Sequence, residues 1–282
     1  MHRTRNFAVS AALLSMICVQ GGASIAKQLF PVIGPVSTSA LRIGLAALLV
    51  NLIVRPNYTQ FNAQQWLYCL FYGVGIAAMN LIFYIAIQRI PLGLGVTVEF
   101  IGPLFLAFLF SRKWLDILWS SLACAGILLI VPWGEQDTDV LGLVLASAAG
   151  IFWALYIVMG RKVSAVLDGR QAVAAGLVIA SVLVMPFALA DGGLQQVNSS
   201  VFFLALCVAI LSSALPFSLD MIAISRLPTQ TFSILTSLQP AFAALSGLLL
   251  LSEQLSLLQW LSVGCVVLAS LGTTWCGRRN LK

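Results

Sequence analysis

Four charged side chains stand within or at the edge of apolar runs: Lys27, Arg42, Glu99 and Asp220. A charge at the centre of a membrane helix costs about 2.5–3.5 kcal/mol on insertion scales, so each calls for a partner, a water-filled cavity or a function. Arg42 and Glu99 each lie about seven residues from the same-side end of their runs, ~10 Å deep at ~1.5 Å per residue. Two readings of that equal depth stand side by side. One is a clamp for a zwitterion, Arg42 taking a carboxylate and Glu99 an ammonium group. The other is a structural ion pair that pins two helices. Asp220 precedes Arg226 by a few residues, and pairing across the helix end is the expectation. Its functional alternative is an inner gate or a protonatable coupling group. Lys27 can snorkel to the membrane surface or serve a gate.

Uncharged polar and aromatic residues share these runs. Gln20 adjoins Gly21 and Gly22, Asn80 lies one turn from Tyr84, Trp153 and Tyr156 fall at a spacing of three, and Gln239 precedes a proline. They could line a substrate cavity, although small and aromatic residues also serve ordinary helix packing in membranes. No Walker A sequence and no HExxH occurs, and the two Gly-x-Gly stretches (Gly73–Gly75, Gly93–Gly95) sit in apolar runs rather than strand–turn–helix units. The only histidine is His2, and the cysteines Cys18, Cys69, Cys124, Cys207, Cys265 and Cys276 show no CxxC spacing. Metal, cofactor and redox chemistry are therefore not expected. Intramembrane hydrolysis needs paired catalytic groups, which a single deep aspartate does not supply.

The elements that must position these residues follow from composition. Of 282 residues 60% are hydrophobic and 9% charged, against about 25% charged in soluble domains. A spanning helix needs ~20 mostly apolar residues. Spans are predicted near 7–28, 35–54, 66–88, 92–111, 115–132, 140–160, 171–190, 200–223, 229–250 and 256–276. The first resembles a secretory signal, with Arg3 and Arg5 ahead of an apolar stretch, but the nine that follow favour a retained helix. With both termini in the cytoplasm, twelve of the fifteen Lys and Arg residues fall in cytoplasmic segments, leaving Lys27, Arg42 and Arg89. That satisfies the positive-inside rule, and an odd number of spans would break it. The net charge of +6 is spread between apolar runs, unlike the single basic face of a nucleic-acid binder.

Two stretches match across the halves. Arg89-Ile90-Pro91 is followed by Pro103, and Arg226-Leu227-Pro228 by Pro240, both at the same spacing. A proline inside a helix removes a backbone hydrogen bond and opens the helix. The pattern divides the chain into residues 1–137 and 138–282, five helices each. Five is odd, so the two copies run in opposite senses, as in transporters whose substrate site lies at the repeat interface. The expected fold is all-α, ten transmembrane helices in two inverted five-helix repeats.

These residues carry a family resemblance. Val19-Gln20-Gly21-Gly22-Ala23-Ser24, Ser39-Ala40-Leu41-Arg42, Met79-Asn80, Phe83-Tyr84, Glu99-Phe100, Gly102-Pro103, Ala214-Leu215-Pro216 and Asp220-Met221-Ile222-Ala223 resemble the EamA-type branch of the drug/metabolite transporter superfamily. Within it the chain is most similar to bacterial inner-membrane exporters of small amino acids. The resemblance implies a secondary transporter that exports threonine- or homoserine-like amino acids by proton-coupled alternating access. Another metabolite, an aromatic compound or a drug-like cation is the alternative cargo. By this resemblance the substrate site would draw on Arg42, Glu99, Gln20, Asn80, Tyr84, Trp153, Tyr156 and Gln239, and gating or coupling on Asp220, Lys27, Pro103 and Pro240. Two positions depart from the pattern, which has Glu at Asp220 and at Gln239; the second departure removes a charge.

Overall fold

The computed structural model describes residues 2–109, 118–119, 121–122, 125–126, 139–227, 235–236 and 238–278. Every regular element among them is helical. The chain opens on His2–Val54, which is two helices meeting at Gly34 (φ 73°, ψ 165°). We call residues 2–33 α1 and residues 35–54 α2. The expected gap over 29–34 thus shrinks to one residue. Prolines are tolerated inside membrane helices, so α1 continues past Pro31, and the turn falls on a conformation essentially reserved to glycine.

Helix α3, Ala63–Arg89, starts with a capping box: Asn62 Oδ1 accepts from the Gln65 N–H at 2.8 Å, and Gln65 Oε1 accepts from the Asn62 N–H at 2.9 Å. It ends where Ile90, extended ahead of Pro91, leaves the helical region. The predicted helix 92–111 is interrupted. It forms α4, Leu92–Glu99, and α5, Ile101–Leu109, separated by a turn at Phe100. Pro103 lacks the N–H that would bond the Glu99 carbonyl, and the break follows.

Helix α6 is Val140–Ser164, capped by Asp139, and α7 is Gly169–Asp191, stopped by the left-handed Gly192 (φ 79°). Helix α8, Ser199–Ala209, passes through one π-turn, Ile210–Ala214, into α9, Leu215–Arg226. Helices α10, Gln239–Leu251, and α11, Leu257–Arg278, complete the chain. Most of the predicted helix 115–132, the first part of 229–250 and Pro228 of the second repeat turn lie outside the described residues.

Five stretches are long and apolar enough to cross a membrane: Phe7–Val54, Ala63–Arg89, Val140–Ser164, Gly169–Asp191 and Ser199–Ala223. The first, at 48 residues, is long enough for two crossings. Leu92–Leu106, Gln239–Leu251 and Leu257–Ala269 are shorter apolar helices. Large apolar side chains such as Leu52, Ile53, Val182, Phe187 and Leu249 point outward, as lipid-facing surfaces require. This is an all-α, multi-pass membrane protein.

Helix α3 lies along α6, and α1 meets the α8–α9 helix, Gly22 at Ser212 and Ser15 Oγ donating to the Pro216 carbonyl at 3.3 Å. Helix α4 packs against α6 and α10, α1 also touches α10, and α2 packs on α7. Small residues make the closest crossings. A Cβ on Gly22 would stand 2.6 Å from the Ser212 Cβ, and one on Gly93 would stand 2.7 Å from the Ala244 Cα. Without a hydrophobic drive between helices in lipid, such contacts supply the van der Waals attraction.

Candidate functional site

Arg42 is 3% exposed, and α2 carries it into the middle of the bundle. Its Nη1 donates to Tyr84 Oη and to Ser212 Oγ, each at 2.8 Å, and its Nη2 donates to Asn80 Oδ1. The guanidinium also lies 4.6 Å from the centre of the Tyr84 ring. The Asn80 amide is oriented by its own donation to the Ile76 carbonyl at 2.7 Å, which turns its oxygen toward Arg42. Among the described residues the Arg42 Nε–H has no partner.

The acceptors come from both halves of the chain. Asn80 and Tyr84 lie one turn apart on α3, so both face α2. Ser212 lies in the π-turn and meets Gly22 of α1. A π-turn adds one residue to the helical cycle and re-aims the side chains on it.

A cavity of about 70 Å³ opens beside this cluster, and Arg42, Asn80, Glu99, Gln20, Gln239 and Asp220 all contribute to its lining. Trp153 and Tyr156 of α6 form an aromatic wall, held by a Trp153–Phe100 ring contact at 5.6 Å and a stacked Tyr156–Tyr72 contact at 5.2 Å. Glu99 sits at the end of α4, just before the Phe100 break. A Cβ on Gly150 would stand 2.3 Å from the Glu99 carbonyl oxygen, so α6 fixes the backbone at that break.

Eight of the residues singled out from the sequence therefore meet in one place. Tyr84 stands behind Arg42, outside the lining, and packs on Phe30 at 5.4 Å. Pro103 and Pro240 are also outside it: Pro103 acts on the break after Glu99, and Pro240 starts α10 immediately after Gln239.

Three pairings bear on the readings above. Arg42 and Glu99 share the cavity without a salt bridge; the ion pairs among the described residues are Lys27–Glu253 and Arg89–Asp139. Asp220 does not pair with Arg226. It faces the cavity, while the Arg226 guanidinium lies 5.7 Å from the centre of the Phe7 ring. A spacing of six puts two side chains on different faces of a helix. Lys27 does not merely snorkel: its Nζ reaches Glu253 Oε1 at 2.6 Å and the Ile90 carbonyl at 3.0 Å. Glu253 Oε2 accepts from the Leu92 N–H at 2.7 Å, so α1, the α3–α4 turn and the loop after α10 are tied together. Ser212 and Glu253 are the functional candidates that residue-by-residue reading passed over. Ser212-Ser213 in an apolar run just before Pro216 was the available signal for the first.

Comparison with known proteins bears on this geometry. Over 272 residues the chain is 42% identical to the threonine/homoserine exporter RhtA of Escherichia coli strain K12, covering 96% of this chain and 92% of that one. Residues 140–275 match the EamA-like transporter family. The chain belongs to the EamA-like transporter family. That places it in the drug/metabolite transporter superfamily. The exporter of the same name from Salmonella typhimurium strain LT2 is 41% identical over 95% of this chain and 91% of its own. The uncharacterized inner membrane transporter YedA of Escherichia coli strain K12 is 29% identical over 64% of this chain and 61% of its own. A known crystal structure shares the fold, with a TM-score of 0.69 at 15% identity over 98% of this chain and 99% of that one. The matched family segment contains Trp153, Tyr156, Ser212, Pro216, Phe217, Asp220 and Gln239, so this EamA-like chain draws seven of the sixteen residues lining its cavity from it.

Proposed function

We propose that this protein is a secondary transporter that exports small, threonine- or homoserine-like amino acids across the inner membrane by proton-coupled alternating access. The cavity carries the reading. One guanidinium with an unused Nε–H shares it with two carboxyl groups, Glu99 and Asp220. Arg42 takes the substrate carboxylate, and Glu99, unpaired with Arg42, takes the ammonium group. An Arg⁺, two carboxylates and a zwitterion sum to one negative charge in an apolar surrounding, which is costly to bury. A proton on Asp220 removes that charge. The name of the 42%-identical relative points to the same cargo.

Ten spans in two inverted halves, 1–137 and 138–282, complete the reading. Besides the two Arg-x-Pro…Pro stretches, the packing supports it. Exchanging the first five predicted helices for the last five turns the α3–α6 contact into that of α1 with the α8–α9 helix, seen at Gly22–Ser212 and Ser15–Pro216, and the α4–α6 contact into α1–α10, seen at Gln20–Gln239 and Gln28–Leu250. The α4–α10 contact maps onto itself, as an inverted repeat requires. The distribution of Lys and Arg supports both termini lying in the cytoplasm.

The test is efflux from proteoliposomes loaded with labelled threonine or homoserine, with and without a pH gradient. Wild type exports both, faster with the gradient, and Arg42→Ala and Glu99→Gln each slow export at least ~tenfold. No export by wild type refutes the amino-acid reading. Unchanged export by both variants refutes the clamp, and indifference to the gradient refutes proton coupling.

A further inference from the structure

Carboxylate and ammonium are common to all amino acids, so the clamp alone does not select among them. Selection has to come from the rest of the cavity. There, Gln20 of α1 and Gln239 of α10 meet side chain to side chain: Gln20 Nε2 donates to Gln239 Oε1 at 3.3 Å. Gln20 is 2% exposed, and its Oε1 has no hydrogen-bond partner among the described residues. Leaving a buried amide oxygen unpaired is expensive, and both amides line the cavity.

The amide–amide bond consumes one donor of Gln20 and one acceptor of Gln239. What remains is the Gln20 acceptor, its second N–H and the donors of Gln239. Turning both amides over exchanges the roles but leaves the same complement, one acceptor beside donors. A hydroxyl is the small group that both donates and accepts from one atom. A methyl in its place satisfies neither amide, and an ammonium or carboxylate satisfies only one.

We propose that the Gln20–Gln239 pair reads the side-chain hydroxyl of the substrate and so selects hydroxy amino acids over apolar ones of the same shape. The inference rests on the amino-acid reading above and adds a specificity-determining group to it. Valine is threonine with the hydroxyl replaced by methyl; 2-aminobutyrate is threonine with the hydroxyl replaced by hydrogen. Valine puts a methyl against the amides and excludes water from them. 2-Aminobutyrate leaves room for a water molecule to make the missing bonds. The expected order is threonine, then 2-aminobutyrate, then valine, with threonine preferred over valine by roughly ten- to hundredfold.

The experiment measures efflux of the three labelled amino acids from the same proteoliposomes, for wild type, Gln20→Leu and Gln239→Leu. Each leucine variant is expected to lose the threonine preference or reverse it toward valine. The ratio is internal to each variant, so a smaller folded fraction lowers both arms and leaves it unchanged. A wild-type threonine-to-valine ratio near one overturns the inference while leaving amino-acid export standing. So does a ratio that both leucine variants preserve. No export of any of the three by wild type overturns the functional reading and the inference together.

Discussion

Replacing Lys27 by methionine keeps the length and removes the charge from the tie at the α3–α4 turn. Wild-type Lys27 bridges Glu253 at 2.6 Å and the Ile90 carbonyl at 3.0 Å. The two side chains are 19% and 15% exposed, between the surface and buried limits. Exposed pairs contribute ~0–1 kcal/mol, and loss of one partner from a buried pair costs ~3–5 kcal/mol. Solvent screening at this exposure and the retained Leu92–Glu253 bond put the loss at about 1.5–3 kcal/mol. If the tie closes that end of the cavity, the closed form loses stability by this amount and the open population rises by about ten- to 150-fold. The reporter is a cysteine at Ala23, a cavity-lining residue 2% exposed, in a chain whose native cysteines are replaced. A membrane-impermeant maleimide added on the side of the α3–α4 turn labels it at a rate that follows the open population. Lys27→Met accelerates labelling at least ~tenfold, and Lys27→Met with Glu253→Gln accelerates it little further, since both act on one tie. An unchanged rate, or two changes that multiply, refutes the gating role.

Three further outcomes follow from the packing. Gly22→Ala drives a methyl to within 2.6 Å of the Ser212 Cβ, whereas Gly21→Ala meets nothing within 4 Å; thermal melts in detergent show a loss of ~1–3 kcal/mol for the first and none for the second. Gly34→Ala forces a side chain into φ 73°, ψ 165° and costs ~1–3 kcal/mol in the same assay; a neutral result removes the strain argument for this turn. At the mouth of α6, the hydrogen bond from Arg89 holds the Asp139 carboxyl below its ordinary range against the opposing effect of desolvation, with the Gly142 and Leu141 N–H groups adding to it. A depressed folded-state value means that the stabilisation is present above the unfolded value of ~3.9 and is lost as pH falls through the folded one. Asp139→Asn therefore melts below wild type at neutral pH, and the gap closes under acid; a gap that persists there refutes the assignment.

Much of this site was legible because a charge in an apolar run is costly. Arg42, Glu99 and Asp220 stand out on that ground, and all three line the cavity. Their partners were not legible. Arg42 donates to Asn80, Tyr84 and Ser212, which are uncharged, cheap to bury when bonded and common in membrane helices. Pairing Asp220 with Arg226 failed on helical phase, which one-dimensional proximity hides. Lys27 meets a glutamate that follows more than two hundred residues later, a closure that no local pattern encodes. The helices themselves followed hydropathy closely, except where backbone chemistry intervened: Gly34 compressed a gap to a point, and Pro103 cut the predicted helix 92–111 at Phe100.

The three acceptors around Arg42 have a consequence for how an empty carrier behaves. Asn80, Tyr84 and Ser212 occupy the guanidinium much as a carboxylate would, so in the proposed role the unloaded protein holds an imitation of its cargo. These bonds engage three of the five N–H groups, and a substrate must bid for those three against groups tethered at high effective concentration. Weak capture is the result, and for an export protein it is an advantage. The site stays vacant while the cytoplasmic pool is low, fills only when that pool swells, and lets go readily on the far side. In the proposed role, the hydrogen bonds that hold Arg42 still also set the level at which the overflow begins.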